Sequence, residues 1–385
     1  MAFLLFFGIV LSVYFLGNYY VFVRGLQAIP EGSSLRTPYI WIFWILAATY
    51  VAGRTMENIY LSYLSDVLVW TGSFWLAALL YFFLAVVLFD LLRLIHHFVP
   101  FFPAFITANM EKSRYFIFAG TIIAVFLLVT GGFINARNPV VRNLDIEIQS
   151  RQIAERDQVR AVLMSDIHLG TIIGNGHFSR IVDKVNQLQP DIILLAGDIL
   201  DEDLEPLIRQ NTGETLRQLS APLGVYGVMG NHEHIGGAAR AQNYLEDHGI
   251  HIIRDTVLKI DESFYLAGRD DRDKRRFSGR ERLPLEKVLQ NADMNHPVIL
   301  MDHQPLDMEK AAGLGVSMQL SGHTHHGQLW PLRYITRSIY KVSYGYRNID
   351  GMHMYVTTGT GTWGPPVRIG NRPEIVELNI KFRKK

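Results

Sequence analysis

Apolar residues crowd into four runs in the first third of the chain, at residues 3–23, 39–52, 67–89 and 115–133, and most charge lies beyond residue 134. A helix that crosses a bilayer needs ~20 mostly apolar residues, so three runs qualify by length and 39–52, bounded by Pro38 and Gly53-Arg54, is shorter. The pattern predicts about four helices forming a transmembrane module over residues 1–134. Tyr19, Tyr20, Tyr39, Trp41 and Trp70 stand near run ends, where amphipathic rings anchor at the interface. Soluble helical cores seldom contain apolar runs of this length. The first run lacks a basic start, is too long for a signal peptide and is followed by further spans, so it predicts a retained helix. The expected location is the cell (inner or plasma) membrane, multi-pass.

After the fourth run the periodicity changes. Residues 135–156 read as a polar linker with one alternating segment at 144–148, and a second domain is expected over 157–385. Within it, short apolar strands at 159–165 and 191–196 enclose helical spacing at 178–188, and helical spacing returns at 204–219. Further strands are expected at 225–229, 250–253, 257–260, 264–267, 298–301, 316–320, 354–357 and 375–380. Buried strands flanked by helices, then closely spaced strands, predict a mixed sheet sandwich covered by helices.

Composition adds boundaries to this picture. Hydrophobic residues make up 49% and charged residues 19%, an average over two unlike halves. The formal net charge of +1 gives no global nucleic-acid-binding surface, and no nucleic acid partner is expected. There is no cysteine, hence no disulfide, zinc finger or thiol nucleophile. Arg24, Arg36, Arg93, Lys112 and Arg114 flank one side of a four-helix module, and Arg54, Arg137 and Arg142 the other. That asymmetry favours an extracytoplasmic catalytic domain, and a second helix that does not span would reverse it.

The chemistry sits where apolar strands stop. Asp166-Ile167-His168, Gly197-Asp198-Ile199-Leu200-Asp201, Gly230-Asn231-His232-Glu233, His303 and Gly322-His323-Thr324-His325 each end an apolar run with metal-ligand side chains. Two residues apart on an extended segment, Asp166 and His168 are expected to face the same way. Asp198 can offer one oxygen to each of two cations, Asn231 a neutral oxygen, and His303, His323 and His325 imidazole nitrogens. Mixed nitrogen and oxygen ligands suit Mn, Fe or Zn better than Mg or Ca. Together the stretches read as a two-metal hydrolytic site.

In this order the motifs resemble the calcineurin-like metallophosphoesterase superfamily over residues 157–381. The stretch from Gly322 to Gln328, with Gly359 to Trp363 and Arg368 to Ile375, is similar to a bacterial membrane-associated phosphodiesterase branch, which has glycine where His326 stands. The resemblance implies an αββα four-layer sandwich with its site at the strand ends. It also implies that Asp166, His168, Asp198 and His325 hold one metal and that Asp198, Asn231, His303 and His323 hold the other. His232 would be the catalytic residue beside them, with Glu233 or Asp201 to orient it. Two divalent transition-metal ions, Mn first, with Fe or Zn as alternatives, would share a water and lower its pKa. The expected partners are membrane lipids and a phosphodiester or pyrophosphate substrate, including one carried on a lipid. A UDP-diacylglucosamine pyrophosphatase of lipid A synthesis, which needs a cytoplasmic domain, and a non-catalytic metal-binding scaffold are the alternatives.

Other conspicuous residues read as structural. The segment 269–282 carries seven basic and four acidic residues and is expected to be a solvated loop. Asp90 and Arg93 mark the end of the third apolar run. His326 is expected at the rim of the site.

Overall fold

A computed structural model describes residues 2–152 and 155–384, with side chains in the first helix from Gly8 onward. The chain divides into two compact units, 1–132 and 133–385.

In the first unit four long helices form, α1 (Ala2–Ala28), α2 (Arg36–Ile59), α3 (Tyr63–Phe98) and α5 (Met110–Ala136), with a short α4 (Ala104–Thr107) before the last. Among the described residues three stretches are long and apolar enough to cross a membrane: Gly8–Ala28, Tyr63–Phe98 and Met110–Ala136. The remaining expected run, now in α2, does not meet that measure. Helix α2 has the length but carries Arg36, Arg54 and Glu57, and it buries Glu57 against Arg54 at 2.8 Å. Its close packing on α3 needs missing side chains: a Cβ on Gly53 would lie 2.6 Å from the Val69 nitrogen, and one on Gly72 2.3 Å from that of Tyr50. Small residues at such crossings let apolar helices associate where no hydrophobic effect drives them together. Asn18 accepts from the Trp75 indole at 2.9 Å, tying α1 to α3. Asp90 pairs with Arg24 at 2.7 Å, joining α3 to α1.

The second unit is built on two six-stranded sheets. The first runs β1-β12-β2-β3-β4-β5, from β1 (Val140–Ser150), β12 (Glu374–Lys384), β2 (Gln158–Met164), β3 (Ile192–Leu195), β4 (Val225–Gly227) and β5 (His251–Ile252). The second runs β10-β11-β9-β8-β7-β6, from β10 (Gly345–Ile349), β11 (Met352–Val356), β9 (Met318–Ser321), β8 (Val298–Met301), β7 (Phe264–Gly268) and β6 (Thr256–Ile260). Strands β2 to β5 are parallel neighbours, as are β7, β8, β9 and β11, while β12, β6 and β10 run antiparallel to β2, β7 and β11.

Alternation sorts each strand between layers. On β8, Ile299 and Met301 join Leu163, Leu194, Leu320 and Leu378 in the core between the sheets, whereas Val298 and Leu300 pack outward with Leu285, Val288 and Ala311. Between the parallel neighbours β2 and β3 the chain forms α6 (Asn175–Gln187), which buries Phe178, Ile181, Val182 and Val185 at helical spacing. These layers are the αββα sandwich.

Three sequence expectations change. Residues 140–150, expected inside a polar linker, form an 11-residue strand paired in parallel along the whole of β12, with Ile146 and Ile148 buried in the core between the sheets. The helical stretch at 204–219 is two short helices, α7 (Glu205–Arg209) and α8 (Thr212–Leu216), broken where Asn211 turns left-handed at φ +53°. Edge strand β10 has too few apolar residues to announce itself.

Candidate metal centre

Each ligand-bearing stretch follows the C-terminal end of a parallel strand: Asp166 and His168 follow β2, Asp198 follows β3, Asn231 and His232 open α9 (Asn231–Gly236) after β4, His303 follows β8, and His323 and His325 follow β9. The backbone does not leave these strands extended. Asp166 (φ +51°), His168 (+53°), Asp198 (+48°), His323 (+70°) and His325 (+44°) are all left-handed. This corrects the extended geometry expected of Asp166 and His168, whose side chains converge because two left-handed residues flank Ile167. Glycines make room for the convergence. Gly197 is itself left-handed at +87°, and a Cβ there would stand 2.6 Å from His303 Nδ1; one on Gly230 would stand 2.1 Å from Asp198 Oδ1.

The side chains gather in overlapping groups, and Asp198 belongs to two of them, one with His168 and His232 and one with His303 and His323. In a further group, Asp166, His168 and His325 offer atoms within 4.8 Å of one another, all buried. In another, Asp198, His303 and half-buried His323 offer atoms equally close together. His325 Nε2 is 3.1 Å from His168 Nε2 and 3.4 Å from Asp166 Oδ1, while His168 Nε2 is 3.8 Å from Asp198 Oδ2. On the other side His303 Nε2 is 3.1 Å from Asp198 Oδ2, and His323 Nδ1 is 2.9 Å from Asn231 Oδ1.

These contacts have the form of ligands pointing at shared positions. The buried Nε2 of His303 lacks hydrogen-bond geometry toward the carboxylate it approaches. His168 and His325 turn nitrogen to nitrogen, and burial and neighbouring rings hold both imidazoles well below their usual pKa, that of His168 at about 3. Burial lifts Asp166 to about 6, and Asp198 adds to it. Burial works against Asp198 too, but His303 and His232 outweigh it and hold its carboxyl well below the usual range. His303 is drawn well above its usual value, because Asp198, Asp166 and Asp271 overcome its burial. Buried imidazoles facing buried carboxylates are a donor set able to hold divalent metal ions.

A supporting layer fixes these groups. The His303 Nδ1–H donates to the Ala196 carbonyl at 2.8 Å, which leaves Nε2 for the site. The His323 backbone N–H donates to both oxygens of Asp166, and that of His232 to Asp198 Oδ1. Buried Glu233 accepts from the backbone N–H groups of Gly230, Leu200 and Asp198 at 2.7, 2.8 and 3.2 Å, binding two site loops together. It is therefore not the orienting partner of His232. That position belongs to Asp201, whose Oδ1 is 3.1 Å from His232 Nδ1.

Sequence reasoning passed over three contributors. Ser165 Oγ donates to Asp166 at 2.5 Å. Arg368, the largest fully buried side chain, donates to the Gly359 and Gly361 carbonyls and to His325 Nδ1 at 3.2 Å. Asn371 donates to the His325 carbonyl. The last two were visible only as part of a late motif, since nothing local says that they reach back to residue 325. His326 is turned away from these groups and sits buried between Ser343 and the Tyr344 ring. The 269–282 segment is only partly solvated: Arg269 and Arg282 are drawn in to Asp302, beside His303, and Lys274 to Asp270.

Comparison with known proteins agrees with this geometry. Residues 159–327 match the family model described as calcineurin-like phosphoesterase. A transmembrane protein with metallophosphoesterase domain from Danio rerio is 34% identical over 69% of this chain, and the chain spans 63% of that relative's length. A metallophosphoesterase of Aquifex aeolicus is 30% identical over 67% of this chain and 98% of its own. One from Campylobacter jejuni is 26% identical over the whole of both chains. Helices of spanning length followed by a sandwich with this site at its strand ends thus mark a membrane protein that belongs to the calcineurin-like phosphoesterases, hydrolases of phosphoester bonds.

Proposed function

We propose that the chain is a membrane-anchored phosphoesterase that hydrolyses phosphodiester or pyrophosphate bonds at two divalent transition-metal ions. The observation that carries the reading is that Asp198 stands in two candidate ligand groups at once, one with His168 and His232 and one with His303 and His323. Asp166, His168, Asp198 and His325 would hold one ion, and Asp198, Asn231, His303 and His323 the other. Bound there, two cations supply a water of lowered pKa and a clamp for phosphoryl oxygens. The donor mix of imidazole, carboxylate and amide oxygen favours Mn, with Fe and Zn as the alternatives.

The chain's own residues supply the proton. The His232 ring stands 4.6 Å from that of His168, and Asp201 holds its Nδ1 side. Its Nε2 is thereby left to face the departing oxygen. Burial lowers the pKa of His232, but Asp198, Asp201 and Glu202 outweigh it and raise the ring to about 9. These carboxylates favour the protonated ring, the form in which a general acid serves a leaving alkoxide.

Purified full-length chain, stripped and reloaded with Mn, should hold two ions by elemental analysis and hydrolyse members of a phosphodiester and pyrophosphate panel. One ion or fewer per chain, or a panel without turnover, would overturn the proposal.

A further inference from the structure

Five exposed apolar side chains of the second unit stand on one rim. Trp330, Tyr334, Ile335 and Ile339, each between 45% and 65% exposed, lie on and just before the helix Arg333–Ile339. Trp363, 54% exposed, joins them through Gln328, which accepts from its backbone N–H and donates to its carbonyl, both at 3.0 Å. The rim borders the metal centre at two places: Trp363 is edge-on to His232, and Tyr340 edge-on to His323, each at 5.9 Å between ring centres.

The segment that forms the rim carries charge of one sign. Arg333 lies over the Tyr334 ring, Arg337 is exposed, and no Asp or Glu occurs from residue 310 to residue 349. Large apolar side chains interleaved with cations, with Trp and Tyr among them, have the composition of a surface that enters the headgroup layer of an anionic bilayer. Within the second unit the rim shares a loop with Asn135. Asn135, near the end of α5, donates to the carbonyls of Arg368 and Asn371 at 2.9 and 2.7 Å, and the Trp330 N–H donates to the carbonyl of Ile369 at 2.8 Å. Both therefore hang from the loop 368–371.

We propose that the Trp330–Ile339 rim, with Trp363, docks the catalytic unit on an anionic phospholipid surface. The opening of the metal centre then stands at headgroup level and receives phosphodiesters carried by membrane lipids. Only this last consequence rests on the phosphoesterase reading; docking stands without it.

The test uses the full chain in vesicles and reads no turnover. Because the chain has no cysteine, Ile339→Cys creates a single labelling site for an environment-sensitive fluorophore, and Ile208→Cys, 53% exposed on α7, is the control. In phosphatidylcholine vesicles containing phosphatidylglycerol, the label at 339 should shift to the blue and lose several-fold of its quenching by acrylamide, while the label at 208 should not. The protection should rise with the anionic fraction. Adding Arg333→Gln and Arg337→Gln should lower the ratio of docked to free rim by roughly thirtyfold, at the stabilisation usual for two basic residues at such a surface. Equal quenching at 339 and 208 in anionic vesicles would overturn the proposal. So would protection that follows the protein-to-lipid ratio in neutral vesicles, since that result assigns the rim to a second copy of the chain.

Discussion

Left-handed backbone at Asp166, His168, Asp198, His323 and His325 costs ~1–3 kcal/mol per residue, and it persists because neighbours hold each turn in place. Glu233 ties the loop at Asp198 to the loop at Gly230, and Asn371 with Arg368 pins the loop at His325. At this scale the division of labour between ligand and acid can be measured. Asp198→Asn should lose metal and nearly all activity on any substrate. His232→Asn should keep both ions and lower kcat by ~10²- to 10⁴-fold, the range for a positioned general acid. The loss should be larger for an alkyl ester than for an activated phenyl ester, whose departing oxygen needs little protonation. Equal losses on both esters, or a missing ion in His232→Asn, would remove His232 from the role of acid.

Among the elements, α6 carries a pH-dependent weakness. His177 is buried near its N-terminus, and burial, then Arg137 and Arg180, lowers its pKa to about 3. Below its ordinary value of ~6.5 the unfolded chain takes up a proton that the folded chain refuses. Stability is therefore full above about pH 6.5 and falls as the pH drops toward 3, with a slope of up to ~1.4 kcal/mol per pH unit from this residue. His177→Phe should flatten that part of the profile in urea unfolding measured from pH 7.5 to 4. An unchanged slope would show that the ring titrates freely.

For the whole molecule, the parallel pairing of β1 with β12 sets where the catalytic unit begins. A fragment of residues 138–385 should be soluble and bind two ions. A fragment starting at 157 loses Ile146 and Ile148, worth ~1.5–3 kcal/mol each when buried, and uncovers the edge of β12. It should aggregate; equal solubility and melting temperature for the two fragments would show that β1 is dispensable. The side of the membrane turns on α2. Were α2 not to cross, Arg24, Arg36, Arg54, Arg137 and Arg142 would share one side against Arg93, Lys112 and Arg114, and the positive-inside rule would favour a cytoplasmic catalytic unit. A fluorescent protein fused after Lys385 would then glow, while alkaline phosphatase activity there would uphold the extracytoplasmic reading.

The sequence by itself determined the apolar runs, the β-α-β alternation and the order of ligand stretches, because burial and metal chemistry restrict residue types at each position. It resolved α2 less well, since a helix of sufficient length is a span only if its polar residues allow it, and Glu57 is partnered by Arg54 from the next turn. It passed over β1, whose segment carries charged and amide side chains on one face and takes its strand form from β12, more than 230 residues later. In the same way only the folded chain decided that His232 meets Asp201 and that Glu233 turns to backbone amides. Arg368 reaches His325 across 43 positions of sequence, and His326 turns aside onto Tyr344. Residue type limits what a side chain can do, but its partner is fixed by loops that converge from distant strands, a distance that no local pattern encodes.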